Sequence, residues 1–398
     1  MKCRFFLLLA APFALSACSQ PTTVSETPNS ATPVKAQESD SQFTLPSGFK
    51  IQVFAEGLDG PRKLVIGPNA TPTKFDVFVS ESKADRVRLL REANGDGKAD
   101  SSHIFVSNLN QPYGLAFWKN WLYVANTDAV VRFSYKTGAT STEAKAEKIA
   151  TLTEGGYNQH WTRNLLFSRD NKKLFVTVGS SCNTCEESDS QRAAISVLDP
   201  DGKNKKLYAT GLRNPVGMAW QPDTNQLWTV VNERDNVGDD APPDYFTKVN
   251  EGEFYGWPYA YTDIEGKIIR DTTFGDKNPA MVKKTVAADV PVQAHSAALG
   301  VVFYPTDNGN FPVEYRGDAF LAYHGSWNRS QKTGYKIARV NFQNGQPNGA
   351  TDFVTGFLSS NGDVSGRPVD IIVAPDGSLL FSDDGGGKIW RVSYTGTN

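Results

Sequence analysis

The sequence predicts an all-β fold, a six-bladed β-propeller, and it does so through a repeat, a composition and a missing periodicity. The repeat is a Gly- or Pro-containing turn, a short apolar strand, a polar turn with Asp, Asn or Gly, and a second apolar strand. Its clearest copy runs Gly366-Arg367-Pro368-Val369-Asp370, then Ile371 to Ala374, the turn Pro375-Asp376-Gly377, and Leu379 to Ser382. The others begin near Leu58, Leu109, His160, Leu212 and His295. A third strand-like run follows, such as Val130 to Phe133, Lys336 to Val340 or Ile389 to Val392. Spacing is roughly 50 residues early and wider later, the range of propeller blades that carry insertions. The 34 Gly, the 11% aromatic content and only 3 Met lean the same way. No segment sustains a 3.6-residue apolar period, so little helix is expected. A β-sandwich is the competing all-β arrangement, but it gives no reason for six similar units.

In chain order, the first element is an address. Met1-Lys2-Cys3-Arg4 supplies positive charge, and Phe5 to Leu15 supplies an apolar stretch too short to span a bilayer. Leu15-Ser16-Ala17-Cys18 ends it and looks like a bacterial lipobox, in which Cys18 is lipidated and becomes the new N-terminus. An ordinary signal peptide with a chance cysteine is the bland alternative. Ser19 stands where an inner-membrane-retention Asp would sit, so resemblance to other lipoproteins points to the outer membrane, facing the periplasm. Residues 19 to about 40, rich in Ser, Thr, Pro, Glu and Gln, cannot build a core and read as a tether. The expected organisation is a signal over residues 1–17, a lipidated tether over 18–42 and the propeller over 43–398, attached to the membrane through lipid alone.

Composition narrows the function. The 41 Lys+Arg against 43 Asp+Glu leave a net charge of −2, with no basic excess to neutralise phosphates, which argues against nucleic acid as a partner. With Cys3 removed and Cys18 lipidated, Cys182 and Cys185 remain, and an oxidising compartment would join them as a local disulfide. Glu186 stands where c-type haem attachment requires His, and one cysteine pair without nearby histidines is too small a ligand set for zinc. There is no Gly-x-Gly-x-x-Gly, Gly-x-Ser-x-Gly or His-Glu-x-x-His motif in a fitting context.

A propeller gathers the turn before each innermost strand around one mouth of its channel. In the register above, Arg62, Gln111, His160, Arg213, His295 and Arg367 would converge there. Three of the four histidines, His160, His295 and His324, lie at or near such positions, which points to a site at the channel mouth.

The motifs in order are His160-Trp161, Leu212-Arg213-Asn214-Pro215-Val216-Gly217, the acidic run from Asn232-Glu233-Arg234-Asp235 to Pro243-Asp244-Tyr245, and Tyr255-Gly256-Trp257-Pro258. They continue with Tyr323-His324-Gly325-Ser326-Trp327-Asn328-Arg329 and Gly366-Arg367-Pro368-Val369-Asp370. From about residue 44 to 394 the chain thereby resembles bacterial quinoprotein sugar dehydrogenases, the sorbosone and soluble glucose/aldose dehydrogenase group. The resemblance implies a six-bladed propeller that uses pyrroloquinoline quinone (PQQ) and calcium to oxidise a sugar, sugar aldehyde or related alcohol. Electrons would then leave to an external acceptor, because no haem motif is present.

Residue by residue, the resemblance makes His160 the general base, a role that suits an imidazole removing a hydroxyl proton. One departure matters: in glucose-oxidising members an acidic residue ending the next strand orients the base, whereas here that stretch reads Val178-Gly179-Ser180-Ser181-Cys182. A Ser or a water would have to serve. Arg213 and Asn214 carry over as cofactor contacts, and Arg213 suits both a carboxylate of PQQ and the charge that develops on the reduced quinone. Five carboxylates fall between Glu233 and Asp244, and calcium takes six to eight hard oxygens; Asp239, Asp240 and Asp244 are the expected metal ligands, with backbone oxygens completing the set. Arg367 matches the first arginine of a pair in the glucose-oxidising relatives, but Val369 occupies the second position. Arg329, Lys332 and Lys336 are the candidate replacements, and Tyr323 and Trp327 the candidate apolar wall. The acidic string from Glu92 to Asp100 lacks the full twelve-residue EF-hand pattern and reads as a plain turn. Two other classes remain open: a calcium-dependent lactonase-like hydrolase, and a non-catalytic envelope propeller that binds a glycan or protein partner.

Overall fold

A computed structural model describes residues 42–155, 160–307 and 309–396; the expected signal, Cys18 and most of the expected tether lie outside the described residues. Six four-stranded antiparallel sheets follow one another along the chain as six blades. The innermost strands are Pro61–Ile66, Leu115–Trp118, Leu165–Phe167, Asn214–Trp220, Ala298–Phe303 and Pro368–Val373, each at the strand that opens a repeat. The third strands of the second, fifth and sixth blades, Ala129–Ser134, Lys336–Gln343 and Lys388–Tyr394, are the third runs expected from the sequence. Closure is by an exchange of ends. Phe49–Ala55 is the outermost strand of the last blade, with Phe49 opposite Tyr394 and Val53 opposite Trp390, so both ends of the propeller depend on one ladder.

The second strands show why the apolar runs are continuous rather than alternating. Leu174–Val178 and Ala319–Tyr323 are buried at every residue, because each blade is covered on both faces by its neighbours. Aromatic side chains fill the wedges between blades: Phe78 of the first blade meets Phe117 of the second edge-on at 5.0 Å, and Trp228 of the fourth meets Phe303 of the fifth edge-on at 6.2 Å. At the channel, glycine sets how closely inner strands approach. A Cβ on Gly114, Gly217 or Gly300 would lie 2.7, 2.7 and 2.6 Å from a backbone oxygen of the next inner strand or its lead-in, Arg163, Leu299 and Val369 respectively.

Pairing slips by a bulge at the start of four inner strands, between Pro61 and Leu64, Pro215 and Met218, Ala298 and Gly300, and Pro368 and Ile371. A bulge twists a strand and re-aims its side chains, and these four stand at the mouth where Arg62, Arg213, Asn214 and Arg367 project. The fourth blade carries the insertion that widens the later spacing: the hairpin Ala260–Thr262 and Ile268–Arg270, then Pro279–Lys284, the one α-helix among the described residues. No helix there is long and apolar enough to cross a membrane. The string from Glu92 to Asp100 forms a turn, with Glu92 Oε1 accepting from the Asn94 and Gly95 amides and Asp100 Oδ2 from the Ala93 amide. Cys182 and Cys185 form the expected disulfide, with Cα atoms 6.1 Å apart.

Candidate active site

The bulged ends of the inner strands surround a cavity of about 350 Å³ at one mouth of the channel. Its wall holds three arginines (Arg62, Arg213, Arg367), three carboxylates (Glu233, Asp235, Asp244) and three histidines (His160, His295, His324). Five of the six repeat-opening residues therefore converge as the register predicted. Gln111 does not line this cavity; it borders a neighbouring one that shares Arg62, His324 and Arg367 as its wall.

His160 is 6% exposed. Its Nδ1 lies 3.1 Å from Ser180 Oγ and 3.2 Å from Ser180 O. The hydroxyl of Ser180 donates to Cys182 O at 2.7 Å, so its oxygen is left to accept. Both neighbours of Nδ1 are then acceptors, which puts the proton on Nδ1 and the lone pair on Nε2. Ser180 thus takes the place of the orienting carboxylate that the family resemblance implied. A hydroxyl fixes the tautomer without supplying negative charge. Burial, then the nearby Arg213 cation, hold the imidazole well below the ordinary histidine range, against the opposing pull of the Ser180 backbone bond.

Arg213 is 2% exposed and held in the plane of its guanidinium. Nε donates to Asn183 O at 3.0 Å, Nη2 to Asn183 Oδ1 at 3.0 Å and Asp235 Oδ2 at 2.8 Å, and Nη1 to Glu233 O at 2.7 Å and Asn232 O at 3.4 Å. These contacts engage all five N–H groups. Arg213 thus offers the cavity its charge, while its donors hold the wall. Asn214 turns Nδ2 to Asn232 Oδ1 at 3.3 Å, and its buried Oδ1 has no partner among the described residues.

The acidic run divides. Asp244 is buried on the cavity wall, accepting from the Glu233 amide at 2.9 Å and the Ala297 amide at 2.8 Å, and burial pushes it up to about 6. Asp239 and Asp240 lie outside the lining: Asp239 accepts from Ser330, and Asp240 pairs with Arg329 at 2.8 Å. Arg329 is accordingly a strut of the rim, also donating to Asp239 O at 2.6 Å. Lys336 pairs with Asp352 at 2.5 Å within the fifth blade and does not reach the cavity, and Lys332 binds Gly362 O at 2.8 Å. Arg367 does line the cavity, donating to His324 O and Gly325 O at 3.2 Å each.

Sequence reasoning missed a second histidine arrangement. His324 Nε2 lies 2.8 Å from Asp384 Oδ1, and Arg62 Nη1 lies 2.5 Å from Asp384 Oδ2. Asp384 follows the second strand of its blade, so the strand-end carboxylate absent behind His160 is present behind His324. The Ser382-Asp383-Asp384 ending was the available signal. The third histidine is tied down, with Nε2 2.8 Å from Gly238 O and Nδ1 3.3 Å from Asn328 Nδ2. Trp327 stands at the mouth, 63% exposed, whereas Tyr323 is buried.

A TrAA12-like family profile matches residues 43–395, almost the whole propeller. The chain belongs to that family. Its members include enzymes that act on sugars and bind PQQ and calcium. A curated relative from Borreliella burgdorferi, described as an uncharacterized protein, is 30% identical over 381 residues, covering 91% of this chain and 93% of that one. A second curated relative, from Hypocrea jecorina and described as a pyrroloquinoline quinone-dependent sugar dehydrogenase, is 25% identical over 414 residues, covering 89% of this chain and 91% of that one. Among solved structures, the holo PQQ domain of a pyranose dehydrogenase from Coprinopsis cinerea superposes with a TM-score of 0.76 at 19% identity, over 90% of this chain and 98% of that domain. At that identity the likeness establishes the propeller fold.

Proposed function

We propose that this TrAA12-like protein is a PQQ- and calcium-dependent dehydrogenase of a sugar, sugar aldehyde or related alcohol, with His160 as general base. The observation that carries the reading is a concentration of unpartnered polar atoms. Arg62 Nε, Thr162 Oγ1, Asn214 Oδ1, Glu233 Oε2 and Asn328 Oδ1 are buried without a hydrogen bond among the described residues, and all five belong to residues lining the one cavity. Buried polar groups in folded proteins are as a rule satisfied, and five of the thirteen unpartnered atoms among the described residues fall on this one cavity, a set that fits a polar, charged ligand. The donor set also fits PQQ with calcium: Arg62 and Arg367 suit its carboxylates, while Glu233 and Asp244 offer hard oxygens to the cation. When bound, the quinone would supply the two-electron oxidant and calcium would polarise it.

The chain's own part is to orient the substrate and move a proton. His160 takes the hydroxyl proton at Nε2, while the Nδ1–H bonded to Ser180 keeps the ring from turning. Arg213 holds positive charge beside the site at no cost in reorganisation, because its geometry is fixed before any ligand arrives. Trp327 at the mouth gives the apolar face of a sugar ring a surface to lie on. Electrons would pass to an external acceptor. In the cell the protein would work at the envelope, carried by lipid on Cys18.

One observation favours a second reading. A base partnered by Ser180 and held well below the histidine range is a weak base, which suits a propeller that binds ligand without turning it over. Titration with PQQ in calcium buffer, followed by a panel of sugars, separates the two. Quinone bleaching that is lost in His160→Ala supports catalysis, and binding without bleaching supports the second reading.

A further inference from the structure

The Cys182–Cys185 disulfide closes a small loop that reaches across from the third blade to the fourth. Asn183, inside that loop, accepts from Arg213 with both of its oxygens, O from Nε and Oδ1 from Nη2, at 3.0 Å each. The same Oδ1 accepts from the Asp235 amide at 2.8 Å, and Asn183 Nδ2 donates back to Asp235 O at 3.0 Å. Trp257 Nε1 closes the set on Asn183 O at 3.0 Å. One uncharged residue thus holds two donors along one edge of the guanidinium and the backbone of its carboxylate partner in both directions. Chain separations of 30 and 52 residues hide this from the sequence.

The crosslink also touches the other arm of the site. Cys182 O is the acceptor that commits the Ser180 hydroxyl and leaves its oxygen to His160. Both cysteines are half-buried, within reach of a small dithiol.

We propose that Asn183 is a positioning residue for Arg213 and Asp235, and that the Cys182–Cys185 disulfide makes this positioning, and with it the ligand affinity of the cavity, redox-sensitive. Reduction by a dithiol breaks the S–S bond, adds two electrons and two protons to give two thiols, and leaves the reductant as its own disulfide. The freed loop gains conformations in which Asn183 no longer faces Arg213. The affinity part of the proposal rests on the PQQ reading; the positioning part does not.

The test compares oxidised full-length protein, the same protein reduced with dithiothreitol, and the variants Asn183→Ala and Asn183→Asp with the disulfide intact. The first readout is solvent exchange of the Arg213 Nε–H in arginine-labelled protein, assigned with Arg213→Lys. The second is PQQ affinity in calcium buffer, and thermal unfolding reports whether each form is folded. Reduction and Asn183→Ala are each expected to speed Nε–H exchange and weaken PQQ binding by about tenfold, the scale of losing hydrogen bonds to a buried charge. Asn183→Asp, which still presents oxygens to Arg213, should retain most of both. Unchanged exchange in folded Asn183→Ala would overturn the positioning role, and unchanged exchange on reduction would overturn the redox dependence. If oxidised wild-type protein binds no PQQ, the function reading fails while the exchange measurement still decides this one.

Discussion

Ser180→Ala tests the proposed base most selectively. The substitution removes Oγ, which lies 3.1 Å from His160 Nδ1, and leaves the Ser180 carbonyl at 3.2 Å as the remaining acceptor. A shared N–H loses one of its two arms, and a neutral hydrogen bond of this kind contributes about 1 kcal/mol net. If that bond holds the imidazole in its working tautomer, kcat/KM falls by roughly fivefold, since about 1.4 kcal/mol corresponds to a factor of ten. Cys182 O also loses its hydroxyl donor, so a drop of about 2 °C in Tm should accompany the change. The assay is steady-state dye reduction on PQQ-loaded protein, alongside nitrogen NMR of the His160 ring to read which nitrogen bears the proton. Wild-type protein should show Nδ1–H, and the variant a mixed population. Unchanged rate with an unchanged tautomer would refute the argument. A loss as large as that of His160→Ala would refute it differently, by showing that Ser180 does more than orient.

Three further outcomes follow from the same geometry. His160 is held below its unfolded value near 6.5, so between the folded value and 6.5 the unfolded chain binds more protons and stability rises with pH. Urea midpoints should therefore fall on acidification below 6.5, and fall less steeply in His160→Asn, with burial of His324 supplying part of the remaining slope. Arg367→Ala should weaken PQQ binding more than tenfold, whereas Arg329→Ala, which alters only the rim, should change it by less than about threefold in the same titration. Gly300→Ala places a Cβ 2.6 Å from Val369 O, between inner strands that cannot part without opening the ring. A loss of about 2 kcal/mol or more is expected by denaturant unfolding.

The propeller was legible because a blade is a local unit: each repeat carries its own turn, buried strand and second strand, and the channel-facing residue follows from counting. The same counting brought Arg62, His160, Arg213, His295 and Arg367 to one cavity. It failed where position depends on how a loop folds back. The spacing of Asp239, Asp240 and Asp244 describes a single acidic loop, yet only Asp244 turns inward, because Ser330 and Arg329 draw the other two to the rim. Lys336 opens a third strand, two strands out from the channel-lining one, where Asp352 across the ladder neutralises it. The grip of Asn183 on Arg213 and the pairing of His324 with Asp384 join separate blades, and no local pattern encodes such contacts.

The central claim is that the cavity binds PQQ with calcium and that His160 then removes a proton from a sugar alcohol. Titrating the purified protein with PQQ in calcium buffer, then adding sugars while following the oxidised quinone, tests it most directly. The account predicts tight, calcium-dependent binding and substrate-driven bleaching that His160→Ala abolishes while binding persists. Absence of PQQ binding, or bleaching that survives His160→Ala, would contradict it.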